Sequence, residues 1–341
     1  MNEKDSRSLR TRRILLTVLS VVLGLILAVA IGAAVYAQRL LNRLNYTDPA
    51  VAAPPETPAV TEETEPVLTG FTVPRIEAAG VDFGTGPQLE SVDTEIVNIL
   101  LIGRDTASEA GARSDTMILC TFNKEKNTIT LTSFLRDLYV KIPGYKKNRI
   151  NAAYMFGGSQ LLDDTLQLNF GVEVDGNVQV DFRNFREIID LLGGVTLELT
   201  AAEVKYIKKY YPGSTVTEGS NLLSGAEALT YARNRHDVDG DFSRTNRQRK
   251  LLNALIEAYQ GKRLTELLGL LNEVLPMVTT DIPKADLTAY AVALLPMLRD
   301  AEIITQSIPV ADGYYNATID EMAVLVPDLE KNKQALLDTL T

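Results

Sequence analysis

The chain has no tryptophan, one cysteine and one histidine in 341 residues. A single cysteine rules out a disulfide framework within the chain and every cysteine-based metal cluster. A single histidine rules out zinc sites of the H-E-x-x-H kind, which need two imidazoles on one helix face. Positive charge is scarce as well: 34 Lys and Arg against 44 Asp and Glu leave a net charge of −10. A chain of that sign has no general affinity for nucleic acid, so any anionic partner must be met by a local basic cluster. The composition that remains, 45% hydrophobic and 23% charged, excludes wholesale disorder. The length suits a sizeable core and about two units. Cys120 lies in the apolar run Met117-Ile118-Leu119-Cys120 and reads as a buried structural thiol rather than a nucleophile.

The charge-free stretch near the N-terminus sets the topology. Residues 1–13 carry Lys4, Arg7, Arg10, Arg12 and Arg13 against Glu3 and Asp5, and Ile14 to Tyr36 then run 23 residues without a charge. A helix rising about 1.5 Å per residue crosses a hydrocarbon core over that length. The basic flank comes first, which keeps the N-terminus in the cytoplasm and exports the rest. Val35-Tyr36-Ala37 loosely fits a signal-peptidase site, but the apolar run exceeds the roughly 7–15 residues of a cleaved signal, so an uncleaved anchor is expected. Between Tyr46 and Gly70 five prolines and five acidic residues occur with no Lys or Arg. Such a segment buries too little to fold and serves as a semi-stiff spacer. The expected organisation is a basic tail at 1–13, a transmembrane signal anchor at 14–36, an extracellular linker at 37–88 and a folded domain at 89–341.

The domain reads as α/β, with strands interleaved with helices that cover a central sheet. Glu95 to Ile102 and Ser114 to Phe122 are near-continuous apolar runs of the buried-strand kind, and Asn127 to Phe134 alternates as a half-buried strand. Residues 123–127 join the last two as a hairpin, which argues for a mixed sheet. Helices are expected over Gly158–Gly171 with Ser159 as N-cap, Phe182–Leu192 stopped by Gly193-Gly194, Ser224–Arg235, Arg244–Tyr259, Gly261–Val278 and Lys284–Leu298. Val178–Val180 reads as a strand and Ile303–Ile308 as an edge strand.

Arginines gather where the apolar pattern should continue. Between Tyr231 and Lys250 lie Arg233, Arg235, Arg244, Arg247, Arg249 and Lys250 against Asp237, Asp239 and Asp241. On the Arg244 helix the inward stripe is Arg244, Gln248, Leu251, Leu255 and Tyr259, so its first turn is basic. An inward arginine needs a partner. Two readings stand: internal ion pairs with the nearby aspartates, or an anion site whose guanidinium forks match phosphate oxygens. A second cluster falls at strand ends, in Gly103-Arg104-Asp105, Arg113-Ser114-Asp115 and Leu135-Arg136-Asp137. Ligands gather at such ends in α/β sheets. Carboxylates among arginines suit either local ion pairs, the commoner case for an Arg-Asp dipeptide, or Mg²⁺, which takes one or two carboxylates plus phosphate oxygens.

In order and spacing these segments resemble the LytR-CpsA-Psr family of cell-envelope proteins. The matching pieces are NILLIGRD (98–105), RSDTMIL (113–119), TLTSFLRDLYVKIPG (130–144), RINAAYMFGG (149–158), VDFRNFREIIDLLGGVTLEL (180–199), LSGAEALTYARNRH (223–236) and GDFSRTNRQRKLLNAL (240–255). The resemblance implies an α/β/α layered sandwich with a central mixed sheet, in a membrane-anchored phosphotransferase that binds undecaprenyl-pyrophosphate-linked glycan with Mg²⁺. Such an enzyme moves a phosphoglycan (teichoic acid, capsule or a similar polymer) to peptidoglycan. It further implies Asp105 and Asp115 as metal ligands, and Arg113, Asp115, Asp241 and Arg244 as catalytic residues. Arg136, Arg149, Arg233, Arg235, Arg247 and Gln248 are implied to bind substrate. The chain reads Ser133-Phe134-Leu135-Arg136-Asp137-Leu138 where the family commonly has S-I-P-R-D-T, which puts the loop that aims Arg136 in question. Asp241 or Asp115 is a candidate general base, against the expectation that arginine neighbours depress a carboxylate's pKa. His236 is a candidate proton shuttle. A polyprenyl-pyrophosphate hydrolase and a lipid-binding regulatory membrane protein remain as alternatives. Beyond about residue 260 the helices are expected to be packing or part of a wall around the lipid tail.

Overall fold

The structure, a computed structural model, describes residues 39, 42–46, 95–104, 114–235, 240–260, 262, 264–294 and 296–340. The basic tail, the expected anchor at Ile14–Tyr36 and nearly all of the linker lie outside them. Among the described residues no helix is long and apolar enough to cross a membrane. The chain divides into Met1–Leu44 and Asn45–Thr341; the second carries the fold.

The strands are β1 (Asn45–Tyr46), β2 (Ile96–Arg104), β3 (Ser114–Asn123), β4 (Thr128–Phe134), β5 (Tyr139–Val140), β6 (Asn148–Arg149), β7 (Gly176–Asp181), β8 (Val195–Leu199), β9 (Gly219–Leu223), β10 (Thr279–Thr280), β11 (Glu302–Ile308), β12 (Tyr314–Ile319) and β13 (Met322–Pro327). The helices are α1 (Asn151–Phe170), α2 (Phe182–Leu191), α3 (Ala201–Tyr210), α4 (Gly225–Ala232), α5 (Asp241–Tyr259), α6 (Leu264–Val274), α7 (Lys284–Leu294) and α8 (Leu329–Leu340). One seven-stranded sheet has the order β1-β10-β7-β2-β3-β4-β11. It is mixed, in keeping with the early hairpin: β2 runs parallel to β7 and antiparallel to β3, and β11 closes the edge parallel to β4.

Alternation of side chains along each strand feeds two cores. Leu100, Ile102, Met117 and Leu119 face α1 and α8, through Leu162, Leu166, Phe170 and Leu336. Val97, Ile99, Ile118, Cys120 and Leu131 face the other way, against Leu252 and Ile256 of α5 and Leu294 of α7. Burial pushes the Cys120 thiol up to about 12, which suits a structural cysteine. A third core under α2, α3 and α4 holds Ile189, Leu197, Ile207, Tyr231 and Leu251.

Local chemistry fixes the helix starts that aim the site. Asp181 caps α2 by accepting from the Asn184 N–H at 2.7 Å. Thr200 with Glu203 and Ser224 with Glu227 form capping boxes on α3 and α4. Gly225 donates to Asp190 at 2.6 Å, and a Cβ there would stand 2.1 Å from the Arg186 carbonyl oxygen, so only glycine lets α4 sit against α2.

Several expectations change. β4 is buried at all seven positions rather than half-buried, because β3 and β11 flank it and both sheet faces are covered. The helix expected from Gly158 begins at Asn151 and breaks at Gly157 and Gly158, where Gly158 takes a φ of 66°. Ser159 follows that break and its hydroxyl donates to Asp281 at 3.1 Å. The Arg244 helix starts earlier, at Asp241, and α4 ends at Ala232 with Arg233 as its C-cap. The β5–β6, β8–β9 and β12–β13 ribbons, with α3 and α8, were not anticipated as elements.

Candidate active site

Asp115, near the start of β3, is the meeting point. Arg136, just past β4, donates from Nη1 to Asp115 Oδ1 at 2.8 Å. Arg244, in the first turn of α5, donates from Nη2 to the Asp115 carbonyl oxygen at 2.9 Å, and its Nη1 lies 3.9 Å from Oδ1. Arg235 brings Nη2 to 3.6 Å from Asp115 Oδ2. Asp241 binds the same two arginines: its carboxylate is 3.0 Å from Arg244 Nη2 and 3.4 Å from Arg136 Nε. Three arginines thus surround two carboxylates.

The loop that aims Arg136 holds its shape without the family's proline. Leu135 N–H donates to Ile308 O at 2.9 Å, Ile150 N–H to Leu138 O at 2.8 Å and Leu325 N–H to Asp137 O at 2.9 Å. The loop is therefore pinned from β11, from the β6–α1 junction and from β13. Asp137 joins the site as well, with an oxygen 3.6 Å from Arg136 Nε and another 3.3 Å from Arg149 Nε.

Burial differs sharply within the cluster. The Arg244 side chain is 2% exposed, Asp241 14% and Asp115 24%. Burial pushes the Arg244 guanidinium down to about 10, helped by Arg235 and Arg136 and opposed by Asp241 and Asp115. It stays charged at neutral pH. Burial also pulls Arg136 down, but Asp241, Asp115 and Asp137 outweigh it and hold its pKa above the ordinary value. Asp241 corrects the expectation made from its neighbours. Burial raises its pKa, and the pull of Arg244 and Arg136 does not cancel that rise. A carboxylate shifted upward is a better general base than one depressed by arginine.

The cluster is unfinished. Nε and Nη1 of Arg244, Nε of Arg136, Oδ1 of Asp241 and Oε1 of Gln248 are buried and make no hydrogen bond. Buried polar atoms of that kind ask for a ligand.

The other expected residues are distributed as follows. Gln248 lies one turn after Arg244, and its Nε2 reaches Ala232 O at 3.5 Å. Arg233 stacks over the Phe182 ring at 4.9 Å. Arg149 donates from Nε and Nη2 to Ala323 O on β13, at 3.2 and 2.6 Å, so it ties the loop to the C-terminal hairpin. Arg247 is not brought to Asp115; it is enclosed with Glu203 at 2.8 Å and donates to Asn234 O at 3.1 Å. Asp105, Arg113 and His236 lie outside the described residues. Asp137 is a site residue absent from the expected set, although the Arg136-Asp137 dipeptide belongs to the strand-end cluster.

The donor set fits Mg²⁺ of the phosphate-bridging kind. Among the described residues no three acidic, histidine or cysteine side chains converge to hold a metal alone. Asp115 offers a partly exposed carboxylate beside orphaned guanidinium nitrogens, which suits an ion completed by phosphate oxygens.

Comparison with known proteins identifies the family. The LytR_cpsA_psr family model matches residues 77–338. The chain is 31% identical over 252 residues to Regulatory protein MsrR of Staphylococcus aureus, covering 72% of this chain and 74% of that protein. It is 38% identical over 161 residues to the polyisoprenyl-teichoic acid–peptidoglycan teichoic acid transferase TagU of Bacillus subtilis, covering 47% and 51% respectively. Among solved structures it is similar to TagT bound to LIIa-WTA, with a TM-score of 0.61 and 26% identity over 74% of this chain and 94% of that one.

Proposed function

The chain belongs to the LytR-CpsA-Psr family, and from that premise we propose that it transfers a phosphoglycan from undecaprenyl pyrophosphate to peptidoglycan. The observation that carries the reading is the buried, incompletely bonded Arg244 between Asp115 and Asp241, with Arg136 on the same two carboxylates. Phosphoryl transfer asks mainly for positioning and for charge stabilisation in a site that needs no reorganisation. Fixed guanidinium groups with free N–H donors supply both.

In this reading Arg136, Arg235 and Arg244 bind the pyrophosphate oxygens and orient the glycan-side phosphorus. A hydroxyl oxygen of the peptidoglycan sugar forms the new P–O bond. The bond to the bridging oxygen breaks, and polyprenyl phosphate leaves with that electron pair. Asp241, buried and shifted upward, accepts the hydroxyl proton. Asp115 and, from its place in the family motif, Asp105 would hold Mg²⁺, which supplies positive charge to the pyrophosphate oxygens when bound. The same reading carries a single-pass anchor, a cytoplasmic N-terminus and an extracellular catalytic domain.

The test uses the full chain in detergent with Mg²⁺ and a polyprenyl-pyrophosphate-linked glycan, with and without a peptidoglycan oligomer. Phosphoglycan should appear on the oligomer and be lost in Asp115→Ala. Polyprenyl phosphate released at one rate whether or not the oligomer is present would replace the transferase with a hydrolase. Binding without release, repeated with a second donor glycan, would replace it with a lipid-binding regulator.

A further inference from the structure

Arg104 is a buried cation for which the reading above has no use. It ends β2, and its pairing places it beside the site. Gly103 stands opposite Thr116 and Arg104 opposite Ser114, so Asp115 is the extra residue of a bulge directly across from Arg104. Adjacent strands are about 4.8 Å apart, and bulges re-aim the side chains around them. Arg104 therefore sits one strand away from the residue that both Arg136 and Arg244 hold.

Its bonding is unlike that of its neighbours. Arg136, Arg149, Arg235 and Arg244 each have a carboxylate within 4.0 Å. Arg104 is 5% exposed, yet its Nε and Nη1 are buried without a hydrogen-bond partner. The facing Ser114 is 0% exposed and its Oγ has no partner either. A guanidinium so deeply buried is destabilising until an anion reaches it. A hydroxyl beside it adds a rotatable donor for the same oxygen.

We propose that Arg104, with the Ser114 hydroxyl, is a further anion-binding arm of the donor site, taking an oxygen of the pyrophosphate head group. The inference rests on the proposed function and adds to it a binding residue on β2. Arg104 then weakens the empty fold and strengthens the loaded one, whereas an internal brace does the reverse to the empty fold.

The experiment measures the melting temperature of the full chain in detergent, alone and with farnesyl pyrophosphate plus Mg²⁺, and the affinity for that probe. Arg104→Met, which removes the charge at similar length, should melt no lower than the parent without probe. Its affinity should fall about tenfold, the loss expected for a charge-assisted hydrogen bond. Arg104→Lys keeps the charge and should recover part of that affinity. A probe-free Arg104→Met that melts several degrees lower or fails to fold, or one with unchanged affinity, overturns the assignment. Arg244→Ala separates the two levels. If it alone abolishes probe binding, the arm is wrong and the donor site stands. If neither variant affects binding, the donor reading falls as well.

Discussion

Arg244 and Arg247 lie one turn apart on α5, both buried and both facing carboxylates, yet they sit in different chemistry. Arg247 has a closed set of partners: Glu203, the Asn234 carbonyl and the face of Tyr231 at 5.9 Å. Glu203 is itself bonded into the α3 capping box. Arg244 is anchored to Asp241 and to the Asp115 backbone, but two of its three nitrogens remain without a hydrogen bond. Burial of charge therefore does not mark a functional residue here. What separates the two is whether the protein finishes the coordination or leaves part of it to a ligand.

The largest expected effect on stability comes from breaking the closed pair. Arg247→Ala should destabilise by about 3–5 kcal/mol, because it strands a buried carboxylate, and urea unfolding reads the loss directly. The same pair has a pH signature. Burial raises the pKa of Glu203, but the Thr200 N–H and Arg247 outweigh that and hold it below the ordinary value of 4.5. Its contribution is present above about pH 4.5 and is lost as pH falls through the lower folded value. Glu203→Gln should flatten that acid-side decline, and an unchanged profile would contradict the pairing.

Asp241 sharpens the contrast from the open side. Because its pKa is raised, the acid limb of the transfer rate should lie above the 3.8 of an ordinary aspartate. Asp241→Asn should lower the rate and remove that limb. The smallest effect concerns the hairpin behind the site. Phe242, next to Asp241, packs on Tyr314 of β12 with ring centroids 5.3 Å apart. A double-mutant cycle of Phe242→Leu and Tyr314→Leu should show a coupling of about 0.5–1.5 kcal/mol, and zero coupling would detach the hairpin from the site.

Much of the sheet was legible because β2 and β3 are apolar runs with clear stops, β4 alternates through Ile129 and Leu131, and Ile303–Ile308 has the pattern of an edge strand. The β12–β13 ribbon was not, since no residue of Tyr314–Ile319 is buried and the strand carries little apolar alternation to read. The arginines of the site were legible through their resemblance to a family pattern, but their individual duties were not. Arg149 and Arg247 look alike in sequence to Arg136 and Arg244. Their partners, Ala323 and Glu203, lie 174 and 44 residues away and are chosen by the fold. The base strength of Asp241 was misjudged for a similar reason: charge neighbours can be counted in a sequence, whereas burial cannot.

The most direct test is transfer of a labelled glycan from a polyprenyl pyrophosphate to a peptidoglycan oligomer. It is measured side by side for Arg244→Ala and Arg247→Ala, at a temperature where both are folded. If open coordination marks the functional arginine, Arg244→Ala loses about 10²–10³ in rate, the scale of removing one charge-stabilising donor, and Arg247→Ala stays close to the parent. Full transfer by folded Arg244→Ala, or an equal loss in both, would contradict it.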